Sequence, residues 1–301
     1  MKRLLSLLTM ATISLGVVKA QDLEDFVSKY TDENGSGYLQ PLSDAFGANM
    51  NTGWFRHAKV NKKKFQFYIG VVTTAGLLKD EQKTFQATSL FSDQTVTAPS
   101  IFGSTESVIN SDPGGSGLEE NFPGGADFSI LPLAVPQLSV GGLFGTEFSV
   151  RYFAFDAGED VGDLDVKGFG IRHSISQYFK LIPVDISLAF YTQSFQLGDI
   201  VDANARIIMA QVGKRLAIVD FYGGIGYEFS TMDIQYDLEV AGEDPTPISF
   251  ELEGENSLRL TAGFMLNLGP VKLNADYNLG DTNVFSVGFG FGFGIPKPGV
   301  L

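Results

Sequence analysis

Phe285-Ser286-Val287-Gly288-Phe289-Gly290-Phe291-Gly292-Phe293-Gly294-Ile295 is the stretch that decides the fold. Every second residue is large and apolar, and every residue between is Gly or Ser. A β-strand turns successive side chains to opposite faces, so this strand has one greasy face and one nearly bare face. The alternation is too strict for a helix, whose apolar positions recur at three and four. A soluble edge strand of this kind invites aggregation. In a transmembrane barrel the greasy face meets lipid and the small face meets the interior. The stretch therefore predicts an antiparallel membrane barrel and places this strand at its closing seam, against the strand around Phe65–Val71.

Composition agrees. The 301 residues include 35 Gly and 26 Phe but no Cys, so neither disulfides nor thiol chemistry is available. Beyond the N-terminus no run of about 20 apolar residues occurs, which excludes a helical membrane protein. Residues 1–20 read as a cleavable signal peptide: Lys2 and Arg3 form the basic start, Leu4–Val18 the apolar stretch, and Val18-Lys19-Ala20 the small-residue cut before Gln21. The cut would remove three of the 21 basic residues and none of the 35 acidic ones, moving the formal charge from −14 to −17. Such an acidic exported chain repels phosphate, so nucleic acid is not an expected partner. The expected surroundings are a bacterial outer membrane, its lipid and the barrel-assembly machinery. Phe293 suits a C-terminal assembly signal, although Pro296–Leu301 extend past it.

From Lys62 onward the apolar period is two. Alternating faces run through Phe65–Val71, Gln137–Gly142, Glu147–Tyr152, 162–178, Val184–Phe190, Ala203–Met209, Asp220–Phe229, Leu258–Asn267, Val271–Asn278 and the opening stretch. These make about ten strands, within a range of eight to twelve. A change of phase near Gly168 suggests a bulge. Ten strands put both ends of the barrel on one side, with long connections outside and short turns inside. The long segments 76–134 and 237–256 fall outside, as do Asp156, Glu159, Asp160, Glu239, Glu243, Asp244, Glu253 and Glu255. Lys180, Lys214 and Arg215 fall inside. Within 76–134, Thr84–Phe91 and Thr95–Ile101 predict a further hairpin, which would give twelve strands if it entered the wall. Phe289, Leu260 and Leu273 are expected to face lipid, and Arg259 and Lys272 the interior.

Residues 21–57 differ in pattern. Asp22–Val27 suggests a short helix. Leu39, Leu42, Phe46 and Met50 predict an amphipathic helix over Gly37–Asn51. The chain thus divides into a leader (1–20), a helical cap or plug (21–57) and a barrel (58–301). A cap would sit at the periplasmic mouth; a plug would use the room left by the bare Gly face.

Residues for catalysis are scarce. His57 lies where the N-terminal segment enters the first strand, and His173 lies in a strand facing outward near an interface; structural roles suit both. Gly115-Ser116-Gly117 and Gly145-Thr146-Glu147 lack the context of a phosphate loop or nucleophile elbow. No spacing suggests zinc. No enzyme activity, cofactor or metal is expected. Asp156, Glu159, Asp160 and Asp163 form the densest acidic set, read as solvated loop surface. The informative charges are those on the polar register of the strands: Glu147, Arg151, Asp185, Arg206, Asp220, Glu228, Arg259, Lys272 and Asp276. Charge is costly in lipid, so these are predicted to point inward as a charge-paired lumen. Arg151, two residues after Glu147 on the same face, is the expected ion-pair hub.

Tyr38-Leu39-Gln40-Pro41-Leu42, Asn51-Thr52-Gly53-Trp54, Pro136-Gln137-Leu138-Ser139-Val140-Gly141, Gly145-Thr146-Glu147 and Val150-Arg151-Tyr152 resemble an uncharacterised exported outer-membrane barrel family of Bacteroidota, from about residue 22 to the C-terminus. The layout of helices before a barrel is more weakly similar to outer-membrane long-chain fatty-acid transporters, which have larger barrels and an N-terminal plug. The first resemblance implies a barrel without an assigned activity. Two functions are expected: a passive channel or transporter of small molecules, hydrophobic ones included, or alternatively a structural or adhesion-type barrel acting through acidic outer loops; an interfacial enzyme is the least favoured alternative. The chain is expected to be a monomer.

Overall fold

The computed structural model describes residues 32–91, 94–156, 163–179, 182–238 and 246–294. The predicted leader, the Asp22–Val27 helix, Glu159, Asp160, Lys180, Glu239, Glu243, Asp244 and Pro296–Leu301 lie outside them. Helix α1 (Asp32–Met50) is followed by strands β1 (Gln66–Leu77), β2 (Thr84–Thr88), β3 (Thr95–Pro99), β4 (Val108–Ser111) and β5 (Glu119–Phe122). Then come β6 (Ile130–Leu143), β7 (Thr146–Asp156), β8 (Asp163–Ser174), β9 (Asp185–Leu197), β10 (Val201–Leu216), β11 (Val219–Leu238), β12 (Thr246–Glu253), β13 (Leu258–Leu268), β14 (Val271–Leu279) and β15 (Asn283–Phe293).

Ten of these strands close an antiparallel barrel in the order β1, β6, β7, β8, β9, β10, β11, β13, β14, β15 and back to β1. The opening stretch is the seam: β15 pairs with β1 from Phe67↔Phe293 to Leu77↔Asn283. Along β15 the odd residues from Phe285 to Phe293 are exposed and the even residues between them are buried. Phe289, Leu260 and Leu273 are 50%, 46% and 36% exposed, whereas Arg259 and Lys272 are 1% and 4% exposed. The barrel is apolar outside and polar or charged within, the reverse of a soluble domain.

The hairpin within 76–134 forms as β2–β3, and β4–β5 forms a second. Neither enters the wall, so the barrel has ten strands, not twelve. Both hairpins, together with β12 paired to the far half of β11, lie at the end carrying the long connections, called here the loop end. The opposite, turn end carries the short connections Phe144–Gly145, Ala217–Ile218 and Gly269–Pro270. Phe144, Gly145, Ala217 and Gly269 all have positive φ, as tight hairpin turns require.

Two expectations about strand register are corrected. β8 passes through Gly168 without a bulge, pairing regularly with β7 and β9. The register shift lies instead between Gly141 and Leu143, where Gly142 has φ of 100°. In β10 the apolar register Ala203, Ala205, Ile207 and Met209 faces inward, and Arg206 is exposed on the outside. Arg206 pairs with Phe229, itself outward and 52% exposed, and cross-strand partners share a face. The physical reason is that the interior beside β10 is apolar, as the next section shows.

Helix α1 begins at Asp32, five residues before the predicted Gly37. Its sequence contains Gly35, Gly37, Pro41 and Gly47, each unfavourable in an isolated helix. It forms because it is enclosed. Residues Ser43–Met50 are all buried, on every face. Gly47 lies against Ser230, and Ala45 and Asn49 against Gly76, so small residues let the helix approach the wall, while Gly37 lies against Phe85 of the β2–β3 hairpin.

Candidate functional site: the occupied lumen

The interior is filled from end to end by residues 32–61. At the loop end, Asn34 donates to the Thr88 carbonyl (3.0 Å) and its own side-chain oxygen accepts from the Thr88 N–H (2.8 Å). Deeper, the Gln40 amide donates to the Glu253 carbonyl (2.8 Å), and the Glu255 N–H donates to Asp44 (3.0 Å). An apolar layer then surrounds the helix: Tyr38, Leu39, Phe46 and Met50 pack with Val72, Leu133, Val166, Phe195, Ala203 and Met232. Phe46 meets Phe195 edge-on at 4.6 Å. This layer explains the apolar inner face of β10.

The C-terminus of α1 ends in the middle of the barrel, where its last carbonyls lack helical partners. The helix has no basic residue in its own last turn. Two wall arginines take that place. Arg151 donates to the carbonyls of Met50 (3.3 Å) and Thr52 (2.9 Å). Arg259 donates to the Ala48 carbonyl (3.0 Å) and to the Thr52 hydroxyl (2.6 Å). Guanidinium groups there also face the negative end of the helix dipole. Arg259 is held by a two-pronged pair with Glu228, both bonds 2.8 Å. Arg151 is held by Gln137 and Gln193 (3.0 Å each) and stacks on Trp54 at 3.8 Å. Arg151 is thus a hub of hydrogen bonds to carbonyls, not the expected ion-pair hub: it makes no salt bridge with Glu147.

Below α1 the chain descends without regular structure. Trp54 stacks on Tyr191 (5.0 Å) and Phe55 meets Tyr222 edge-on (5.2 Å), forming an aromatic layer with Ile207, Met209 and Met265. Next, the Arg56 guanidinium lies 3.5 Å over the Tyr68 ring. Tyr68 in turn covers Gly70, Gly290 and Gly292, where added Cβ atoms would meet its ring. Asn274 covers Gly288, so the bare glycine face is occupied by two wall side chains, Tyr68 and Asn274, with Arg56 of the threaded segment over Tyr68. Arg172 pairs with Glu147 at 2.6 Å and donates to the His57 carbonyl. At the turn end Asn61 contacts Gln66 (2.9 Å) and bonds the Gly294 carbonyl, and Lys62 O accepts from Phe144 N–H (3.1 Å).

Eight of the nine nominated charges lie on the inner register, and Arg206 does not. Glu228 pairs with Arg259. Asp220 pairs with Arg215 through Nε at 2.8 Å, Asp276 accepts from Tyr222 (2.9 Å), and Lys272 donates to the Gly269 carbonyl. Asp185 is half-buried near the turn end. Sequence reasoning missed Arg56, Tyr68 and Arg172. With a phase change expected near Gly168, the faces of 162–178 are not assigned from sequence, and Arg172 goes unnamed; the structure makes Glu147↔Arg172 a direct cross-strand pair. His173 faces outward and bonds Thr146 (2.8 Å) and Tyr178 (2.9 Å), a local tie at the turn end.

The loop end holds a cleft of about 410 Å³ bordered by Pro41, Asp44, Glu81, Phe85, Glu255 and Asp281. In the β4–β5 connection, the Ser116 hydroxyl and the N–H groups of Gly114 and Ser116 hold the exposed Asp112 carboxyl below its usual range. Among the described residues no group of three or more His, Cys, Asp or Glu side chains is placed to hold a metal ion.

No curated protein matches the chain. Among solved structures, it is similar to the N-terminal β-barrel domain of Pseudomonas aeruginosa OprF, with 18% identity over 49% of this chain and 94% of that one and a TM-score of 0.24. It is similar to OmpT, an outer membrane protein of Vibrio cholerae (11% identity, 77% of this chain, 100% of that one, TM-score 0.28). It is also similar to the attachment invasion locus protein Ail of Yersinia pestis (14% identity, 77% and 99%, TM-score 0.22). These likenesses are loose, and the barrel assignment rests on the strand pairing itself. The family model matches over residues 1–293, and the chain belongs to the family of unknown function DUF6588.

Proposed function

We propose that the protein is a monomeric bacterial outer-membrane barrel, exported by the leader at residues 1–20, that is closed to solute flow and acts at its loop end. One observation carries this reading: residues 32–61 fill the lumen, and Arg151 and Arg259 tie the helix carbonyls to the wall. The exposed apolar belt supports the membrane setting, since lipid is the solvent that such a surface suits. The long connections would then lie outside the cell and the short turns in the periplasm. The folded hairpins β2–β3 and β4–β5, β12 and the carboxylate-bordered cleft would form the outward surface, matching a structural or adhesion-type role better than a passive pore.

A second reading has its own support. The wall behind the threaded segment carries Gln66, Gln137, Ser139, Ser149, Gln193, Gln211, Asn274 and Asn278, all buried. If residues 32–61 left, this polar wall would pass hydrophilic solutes, rather than the hydrophobic cargo of a fatty-acid transporter. Reconstitution in planar bilayers separates the two. The closed-barrel reading expects no steady conductance from the intact protein. A steady ohmic current from correctly folded wild-type protein would refute it, and current appearing only after mild denaturant would favour the conditional channel.

A further inference from the structure

The direction in which residues 32–61 run through the barrel has a consequence for topology. A segment that leads into the first strand of a barrel from the periplasm needs only to stay on that side. Here the path is different. Glu33 and Asn34 touch Thr88 of the β2–β3 hairpin, beyond the loop-end rim. Ser43 and Asp44 meet Leu252 and Glu255, still on the loop side. Ala48, Met50 and Thr52 lie at the level of Arg151 and Arg259, in mid-barrel. Ala58 lies beside Gly213, and Asn61 beside Gly294, both at the turn end. The chain then turns and climbs back as β1, from Gln66 to Leu77.

We propose that residues 32–61 thread the barrel from its outer mouth to its inner mouth, so that the start of α1 is presented on the outer side of the membrane. This rests on the orientation given above, with the long connections outside. It adds a display function: the chain carries the first turn of α1, with Glu33 exposed, through the lumen to the cell surface.

The absence of cysteine allows a direct test. Single variants E33C, S116C and K63C each place one thiol on an exposed residue: Glu33 at the helix start, Ser116 between β4 and β5, and Lys63 at the turn end. Intact cells are treated with a polyethylene-glycol maleimide too large to cross the outer membrane, and labelling is read as a gel shift. Heat-modifiability of each variant confirms that the barrel is folded. The threading proposal expects E33C to shift as completely as S116C in intact cells, and K63C to shift only after the outer membrane is permeabilised. If S116C and K63C behave so but E33C shifts only with permeabilisation, threading is overturned while the orientation stands. If S116C is protected and K63C is labelled in intact cells, the orientation itself is wrong and the proposal falls with it.

Discussion

At the scale of single residues, the lumen is organised by four buried arginines that do unlike work. Arg259 and Arg172 are ion-paired, with Glu228 and Glu147. Arg151 and Arg56 are stacked on Trp54 and Tyr68. A buried pair is weak evidence of net stability, but removing one partner strands the other. Replacing Arg259 by Met leaves Glu228 buried without its partner and the Ala48 carbonyl with the Thr52 hydroxyl alone as donor; the expected loss is about 3–5 kcal/mol. The double variant R259M/E228L should recover part of it, because no buried charge is left alone. Urea unfolding of the protein in detergent, followed by the heat-modifiable gel shift, reads both. A double variant no better than R259M would show that the carbonyl contacts, not the pair, dominate.

At the scale of elements, strand and helix were unequally legible. Phe285–Phe293 reads correctly from period alone, since lipid and lumen impose opposite demands on its two faces. Placing Arg at Phe289, in the middle of the exposed face, should cost roughly 2–4 kcal/mol of folded barrel, as lipid-facing basic residues do near the midplane. Little loss on refolding into vesicles would argue that Phe289 does not face lipid. β10 misled because the rule "apolar faces lipid" fails wherever the interior is packed: Ala203 and Ala205 meet the α1 layer, while Arg206 sits outside. That signal was hidden, since only the strand partner Phe229 reveals the face.

Helix α1 was legible from Leu39, Leu42, Phe46 and Met50, but its start and its depth were not. Propensity argues against a helix through Gly35–Pro41, and tertiary enclosure overrides it. Gly47 is the sharpest probe of that enclosure. A Cβ there would approach Ser230 Cβ at 2.5 Å, with the Ser230 hydroxyl closer still. G47A should loosen the helix by about 1–3 kcal/mol, the usual cost of overpacking. G47A/S230G should restore much of it, because the next atom, Ser230 Cα, is 4.0 Å away. Limited proteolysis between residues 32 and 61 reports the loosening; equal cleavage of both variants would place the clash elsewhere.

At the scale of the whole molecule, the nominated charges pointed to a paired interior, but the threaded segment that completes it was open between cap and plug. No local pattern in residues 32–61 states which mouth they enter. Their direction depends on Asn34 meeting Thr88, 54 residues on, and Asn61 meeting Gly294, 233 residues on. The filled lumen is tested most directly by a disulfide between helix and wall. A Cβ on Gly76 would lie 3.6 Å from Ala45 Cβ, within the range that disulfides adopt. The S139C/S149C pair, whose native hydroxyls are 2.8 Å apart across β6 and β7, serves as the control for wall pairing. A45C/G76C, oxidised in native outer membranes, should form an intramolecular disulfide as completely as the control. Free thiols at both positions in a folded barrel, with the control pair closed, would contradict an N-terminal segment packed inside the lumen.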